Sequence, residues 1–142
     1  MSQAADEELE RLWAGSLQDL PAEADLLVQP AGDPELTLRR SREVMATVIG
    51  RYRGPWPELQ DWPQVLPDWF TASMVDDAEI RNCVLDRWSF RAWVYWMRPD
   101  TRPWRWWGAD ASPEEVRVAV LPLSRPYLNG ALRWLLEVAA RA

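Results

Sequence analysis

The sequence predicts an α+β fold, in which four to six helices pack with a C-terminal β-hairpin or small antiparallel sheet and the chain ends in a helix. Apolar residues recur at helical spacing in the first half of the chain. Two short segments between positions 104 and 121 suit β-strands, and a last amphipathic stretch covers residues 130–140. With 142 residues and 48% hydrophobic content, the chain is expected to form a single globular domain, residues 1–142.

Two amphipathic helices are expected in the N-terminal third. The first spans residues 4–18 and carries acidic residues in its first turn, where the helix dipole favours them. The second has Asp33 as N-cap and Pro34 at its first position, and it runs to about Tyr52. Residues 22–32 are expected to be a connector with at most a short helical turn. The outer face of the second helix predicts solvated charges rather than a binding patch: Arg39, Arg40 and Arg42.

Residues 54–68, called the bridge below, are rich in proline. They are too apolar for a free linker, because Trp56 and Trp62 favour burial. The sequence therefore predicts an ordered loop with one short helical turn, packed on the core. A further short helix is expected over residues 68–74.

The segment that starts at Asp76 has the pattern of a capping box, with an N-cap acid and Glu79 three residues later. It predicts a helix that runs to about Trp88. The acids Asp76, Asp77 and Glu79 could instead be a metal or acid/base cluster, but capping explains them fully. Cys83 is expected to be a small packed residue, because the chain has no histidine to activate a thiol.

Six of the eleven tryptophans, interleaved with four arginines, lie between Trp88 and Trp107. Most of these indoles are expected in the core, with arginine stems closing its rim. Residues 90–97 suit either a helix or a strand, and the helix is favoured because Pro99 supplies a stop. One or two exposed indoles beside arginine could still form a recognition surface.

The C-terminal third predicts a β-hairpin followed by a helix. Strands are expected over residues 104–110 and 116–121, joined by a turn at 111–115. Pro122 indicates that the second strand lies at an edge or ends there. Asn129 is expected to cap the final helix, residues 130–140.

The composition excludes several classes of catalytic site. The chain has no histidine and no lysine, and all sixteen basic residues are arginine. Histidine triads, ordinary zinc and haem sites, lysine Schiff bases and the P-loop lysine are therefore absent. A lone cysteine excludes an internal disulfide. We therefore favour a chain that is not an enzyme, with no cofactor and no catalytic or metal-binding residue assigned. An enzyme of this composition would have to use Asp, Glu, Arg, Tyr or a carboxylate-bound metal.

The expected location is the cytoplasm of a bacterium. No apolar run approaches the roughly 18 residues of a membrane span, so no membrane association is expected. The first residues, MSQAADEELE, are acidic and lack the features of a signal peptide. Arginine in place of lysine, with abundant tryptophan, is typical of a GC-rich genome.

Charge is divided unevenly along the chain, whose net charge is −6. Residues 1–80 contain sixteen acids and six arginines, whereas residues 81–142 contain six acids and ten arginines. An acidic surface attracts basic partners and disfavours duplex nucleic acid, which binds through phosphate neutralisation.

Together these features predict a non-catalytic protein-binding module, comparable to an immunity protein, an adaptor or an accessory subunit. Its partner is expected to be a protein, and a basic one is favoured. One alternative is a pocket for a small ligand or carbohydrate lined by tryptophan. Another is binding of single-stranded nucleic acid through the segment Trp88–Trp107, although nucleic acid is not the expected partner. A homodimer through the tryptophan-rich face is also possible. The candidate binding residues are Asp61, Asp68, Asp76, Asp77, Trp56, Trp62, Arg102, Trp104, Arg105 and Trp106.

Overall fold

The computed structural model describes residues 3–74 and 88–142 and has the α+β class that the sequence predicts. Most of the helix expected from Asp76, including Asp77 and Cys83, lies outside these residues. In chain order the elements are α1 (Gln3–Ala14), β1 (Asp25–Pro30), α2 (Pro34–Gly50), 3₁₀ turns at Arg51–Arg53 and Leu59–Asp61, α3 (Trp62–Val65), α4 (Asp68–Thr71), α5 (Phe90–Tyr95), β2 (Trp104–Ala111), β3 (Glu115–Pro122) and α6 (Gly130–Arg141).

The three strands form one antiparallel sheet in the order β1-β3-β2. The β2–β3 hairpin confirms the sequence prediction. Strand β3 is the central strand, so Pro122 marks its end and the edge interpretation was wrong.

The prediction that residues 22–32 form a connector was also wrong, because this segment contains β1. Three consecutive apolar residues obscure its alternation, although only Leu27 of the three is buried. Leu26 and Val28 are exposed, and β3, distant in sequence, provides the hydrogen-bonded partner. A strand whose pairing is non-local gives little local signal.

A layer of helices packs against the sheet. Helices α1 and α2 contact each other and the hairpin, and α6 contacts α2 and β1. None of the helices in residues 3–74 and 88–142 combines the length and the apolar content needed to cross a bilayer. The buried side chains contributed by the strands are Leu27, Trp104, Trp106, Ala109, Val116, Val118, Ala119 and Val120.

Helix α2 begins as predicted, with Asp33 Oδ1 accepting a hydrogen bond from the amide of Leu36 at 3.2 Å. Its arginines correct the expectation of a solvated face. Arg42 Nε donates to the carbonyl of Leu12 at 2.9 Å, and Arg40 donates to carbonyl oxygens in the last turn of α6 and directly after it. These two arginines satisfy carbonyls at the ends of neighbouring helices, and Arg39 alone of the three is exposed.

Helix α1 ends at Ala14, earlier than expected, because two glycines bring its end against β2. A Cβ at Gly15 would overlap the carbonyl oxygen of Trp107, and a Cβ at Gly108 would overlap that of Ser16. Only residues without side chains allow the two backbones to approach so closely.

Residues 90–95 are helical, so the helical interpretation of this segment is confirmed. Ser89 Oγ caps it by accepting a hydrogen bond from the amide of Ala92 at 3.1 Å. Trp93 fixes α5 in the core: its Nε1 donates to the carbonyl of Ala131 at 3.0 Å, and its ring lies 4.7 Å from that of Phe70.

The last helix also begins where the sequence predicts, directly after Asn129. The side chain of Asn129 makes no capping hydrogen bond. Its Oδ1 instead accepts from Nε of Arg133 at 2.9 Å. The residue is at the expected position, but its expected bond is absent.

Candidate functional site

A buried ion pair connects the tryptophan-rich segment to α1. Arg102 donates from both terminal nitrogens to Glu8, at 2.5 Å to Oε1 and 2.7 Å to Oε2. The backbone amide of Trp106 also donates to Glu8, at 2.7 Å. Nε of Arg102 donates to the hydroxyl of Tyr52 at 2.8 Å, and one terminal nitrogen donates to the carbonyl of Trp104 at 2.9 Å.

The electrostatics of this cluster favour a structural role. Burial alone would lower the pKa of Arg102, but its hydrogen bonds with Glu8 and the charge of Glu8 outweigh burial and raise that pKa. Burial raises the pKa of Tyr52 above its usual value of 10.0, and the Tyr52 hydroxyl donates to the carbonyl of Met97 at 2.6 Å. At neutral pH the guanidinium therefore stays charged and the phenol stays neutral. Their hydrogen bonds cross-link α1, the 3₁₀ turn after α2 and the start of β2.

Several residues predicted as binding residues are part of the interior. Trp62, Trp104, Trp106 and Arg102 are all buried, each at most 5% exposed. Because these four side chains are buried, a partner approaching from solvent cannot contact them. Arg105 is half-buried, with one terminal nitrogen 4.0 Å from Glu8 Oε1.

The six indoles between Trp88 and Trp107 form no open stacking platform. Three are buried and three are half-buried. The ring of Trp107 is covered by the guanidinium of Arg11, 3.4 Å from the ring centroid, as expected for arginine closing the rim of the core. A platform for single-stranded nucleic acid needs a row of exposed ring faces, and this segment does not present one.

The bridge and α5 enclose an open groove with a volume of about 380 Å³, called the bridge groove below. Tyr95, on α5, is 49% exposed, and Trp56, on the bridge, is half-buried. The Trp56 ring is held by contacts with the rings of Trp62, at 4.8 Å, and Tyr52, at 5.9 Å. The lining residues are Trp56, Pro57, Glu58, Leu59, Arg91, Val94, Tyr95 and Arg98.

The carboxylates predicted from sequence divide into two groups. Asp61 and Asp68 are exposed on the bridge and at the start of α4. Neither forms an ion pair with another described residue, and neither does Glu58 in the groove wall. Asp76 and Asp77 lie outside the described residues. The surface that can be described is therefore the bridge groove with these three acids.

Sequence reasoning missed Tyr95 and Glu58 as groove residues. The available signal for Tyr95 was its position in α5, outside the stripe formed by Phe90, Trp93, Val94 and Met97. No local sequence pattern indicated that Glu58 and α5 would line the same groove, because the groove forms only where the folded bridge lies next to α5.

A second charged cluster fastens β1 to the segment before α6. Arg125 donates to both carboxylate oxygens of Asp25, at 2.9 and 3.1 Å, and the hydroxyl of Tyr127 donates to Asp25 at 2.6 Å. The hydrogen bonds from Arg125, and then that from Tyr127, lower the pKa of the Asp25 carboxyl below its usual value of 3.8. This cluster acts as a clamp, and its charges compensate each other.

Within residues 3–74 and 88–142, no three acidic, cysteine or histidine side chains are grouped in a way that could hold a metal ion. No protein-family model matches the chain, and comparison with curated proteins and solved structures found no match.

Proposed function

We propose that this chain is a non-catalytic protein-binding module that engages its partner through the bridge groove and the acids beside it. The observation that carries the proposal is that Trp56, on the bridge, and Tyr95, on α5, line the same open groove. Tryptophan, tyrosine and arginine dominate the binding energy of protein interfaces, because large rigid side chains bury much area at little entropic cost. The groove combines these three residue types with an exposed carboxylate, Glu58.

The use of the arginines supports a basic partner. Arg11, Arg40 and Arg42 donate to backbone carbonyls, and Arg102 is neutralised internally by Glu8. Among the described residues these cations form no ion pair with the exposed acids of the bridge, so the carboxylates there leave negative charge on that surface. Such a surface accelerates encounter with a basic protein and selects against acidic ones.

Arginine-only usage and the single cysteine support a place for this module in the cytoplasm of a GC-rich bacterium. An immunity protein, an adaptor and an accessory subunit all fit this proposal. They differ in whether the partner is a toxin, a signalling protein or an enzyme.

The test is a quantitative affinity capture from lysate of the source organism, treated with nuclease and eluted in steps of salt. We expect a stoichiometric protein that leaves at high salt. The variant Asp61→Arg with Asp68→Arg should recover about tenfold less of it, because like charges now oppose the partner. The matched control is Glu43→Arg, which reverses an exposed acid on α2.

A second variant separates the groove from long-range charge. Tyr95→Ala should lose the partner, whereas Trp13→Ala, which truncates an aromatic residue 52% exposed on α1, should retain it. Equal recovery by all variants would contradict the proposed surface. Recovery of a second copy of this chain in place of another protein would indicate a homodimer and contradict the basic partner.

A further inference from the structure

Indoles of the tryptophan-rich segment also line a small, mainly apolar cavity. Its volume is about 130 Å³. Three indoles form its walls, from Trp88 before α5, Trp96 after α5 and Trp104 on β2; the start of α6 also lines it, and it opens partly to solvent. Among the described residues, those that line it are Trp88, Trp96, Trp104, Leu128, Gly130 and Ala131.

We infer that this cavity, called the indole cavity below, is a binding site for a small uncharged apolar group about the size of benzene or toluene. Apolar cavities of roughly 150 Å³ in protein interiors stay free of water and bind benzene. The indole cavity is close to this volume, and Leu128, 63% exposed, lies in its wall. Such a side chain can move to admit a ligand without disturbing the core.

The lining favours a neutral ligand over a cationic one. Aromatic cages bind alkylammonium groups through the negative faces of their rings, and an acid nearby strengthens such a site. None of the lining residues in the described part of the chain is acidic. The Trp104 ring already has the guanidinium of Arg102 4.8 Å from its centroid, so one of the three rings already interacts with a cation of the protein itself.

A carbohydrate is disfavoured for a different reason. Sugars stack on indoles, but each hydroxyl removed from water needs a hydrogen-bond partner. Among residues 3–74 and 88–142, no charged, amide or hydroxyl side chain lines the cavity. A neutral hydrocarbon group therefore has the smallest desolvation cost on entry. This site does not depend on the bridge groove or on the proposed protein partner.

The first test uses toluene, tetramethylammonium and methyl glucoside as probes of the full chain. Ligand-observed NMR by saturation transfer and thermal melts measure binding. We expect toluene alone to show saturation transfer and to raise the melting temperature, because a ligand that binds only the native state stabilises it. Stronger binding of tetramethylammonium or of the glucoside than of toluene would overturn the inferred ligand class.

Two variants locate the binding. Gly130→Ala adds a Cβ that would lie 3.0 Å from Cζ2 of Trp88, and it should weaken toluene binding about tenfold, since one methyl group in a filled apolar site has that effect. Gly50→Ala, where a Cβ meets nothing within 4 Å, is its control.

Should Gly130→Ala fail to fold, Leu128→Ala decides, because this side chain is largely exposed. It should weaken binding about threefold through lost apolar contact, while Leu123→Ala, a leucine 54% exposed outside this cavity, should not. Toluene binding that is unchanged in the cavity variants would place the ligand elsewhere and overturn the inference.

Discussion

Replacing Glu8 by glutamine tests whether the buried ion pair holds α1 to the hairpin. The carboxylate accepts three N–H groups, two from Arg102 and one from the backbone of Trp106. A glutamine side chain has one acceptor oxygen and two N–H donors, so at least one donor would face another donor. The Arg102 guanidinium, 3% exposed in its side chain, would also lose its compensating charge.

We expect Glu8→Gln to lower the free energy of unfolding by about 3–5 kcal/mol, the usual effect of leaving one buried charge unpaired. The total free energy of unfolding of a native domain is about 5–15 kcal/mol. The expected loss would therefore be a large fraction of the stability. The assay is urea denaturation followed by circular dichroism. With a slope of about 2 kcal/mol per molar urea, the midpoint should fall by about 2 M.

The matched control is Glu7→Gln, the adjacent exposed acid on α1, which should change the free energy by no more than about 0.5 kcal/mol. The double variant Glu8→Leu with Arg102→Met should recover part of the loss, because it removes both charges together. The reasoning is refuted if Glu8→Gln shifts the midpoint no more than Glu7→Gln does. A double variant less stable than Glu8→Gln would show that the two residues do not act as a pair.

Two further predictions concern the glycine contact and the Asp25 clamp. Gly108→Ala should lower the free energy of unfolding, measured by urea denaturation, by about 1–3 kcal/mol, because its Cβ would overlap backbone rather than a flexible side chain. The control Gly50→Ala should not destabilise the protein to a similar extent. Equal effects of the two variants would contradict the close contact. Asp25 has a lowered pKa in the folded state, so its contribution to stability is present above its ordinary pKa of 3.8 and is lost as pH falls below that value. Asp25→Asn should therefore be less stable than the parent chain at neutral pH, and the difference in stability should shrink in acid. The control Glu43→Gln should show no such pH dependence. A difference for Asp25→Asn that stays constant down to acidic pH would show that the clamp does not depend on charge.

The elements that the sequence predicted best are those with a local cause. Helix α2 begins at an aspartate and a proline whose capping and backbone preferences do not depend on the rest of the fold. The β2–β3 hairpin is similar, since its two strands and turn are contiguous. Strand β1 was missed because its partner, β3, is distant along the chain.

The burial of the candidate binding residues was harder to predict for the same reason. Tryptophan and arginine are the residues of both interfaces and core rims, so their abundance alone does not distinguish the two. Arg102 is buried because Glu8, far away in the sequence, accepts its hydrogen bonds. Trp56 is held in the bridge groove by a ring contact with the buried Trp62, while Arg105 is left half-buried.

The fold class, the position of the hairpin and the last helix, and the absence of histidine and lysine chemistry could all be predicted from the amino-acid sequence. These follow from periodicity, capping and composition, which are properties of neighbouring residues or of the whole list. The three-dimensional structure was needed to show which indoles are buried, that the expected connector contains β1, and that Tyr95 lines the bridge groove. Each of these depends on contacts between residues far apart in the chain, which no local pattern specifies.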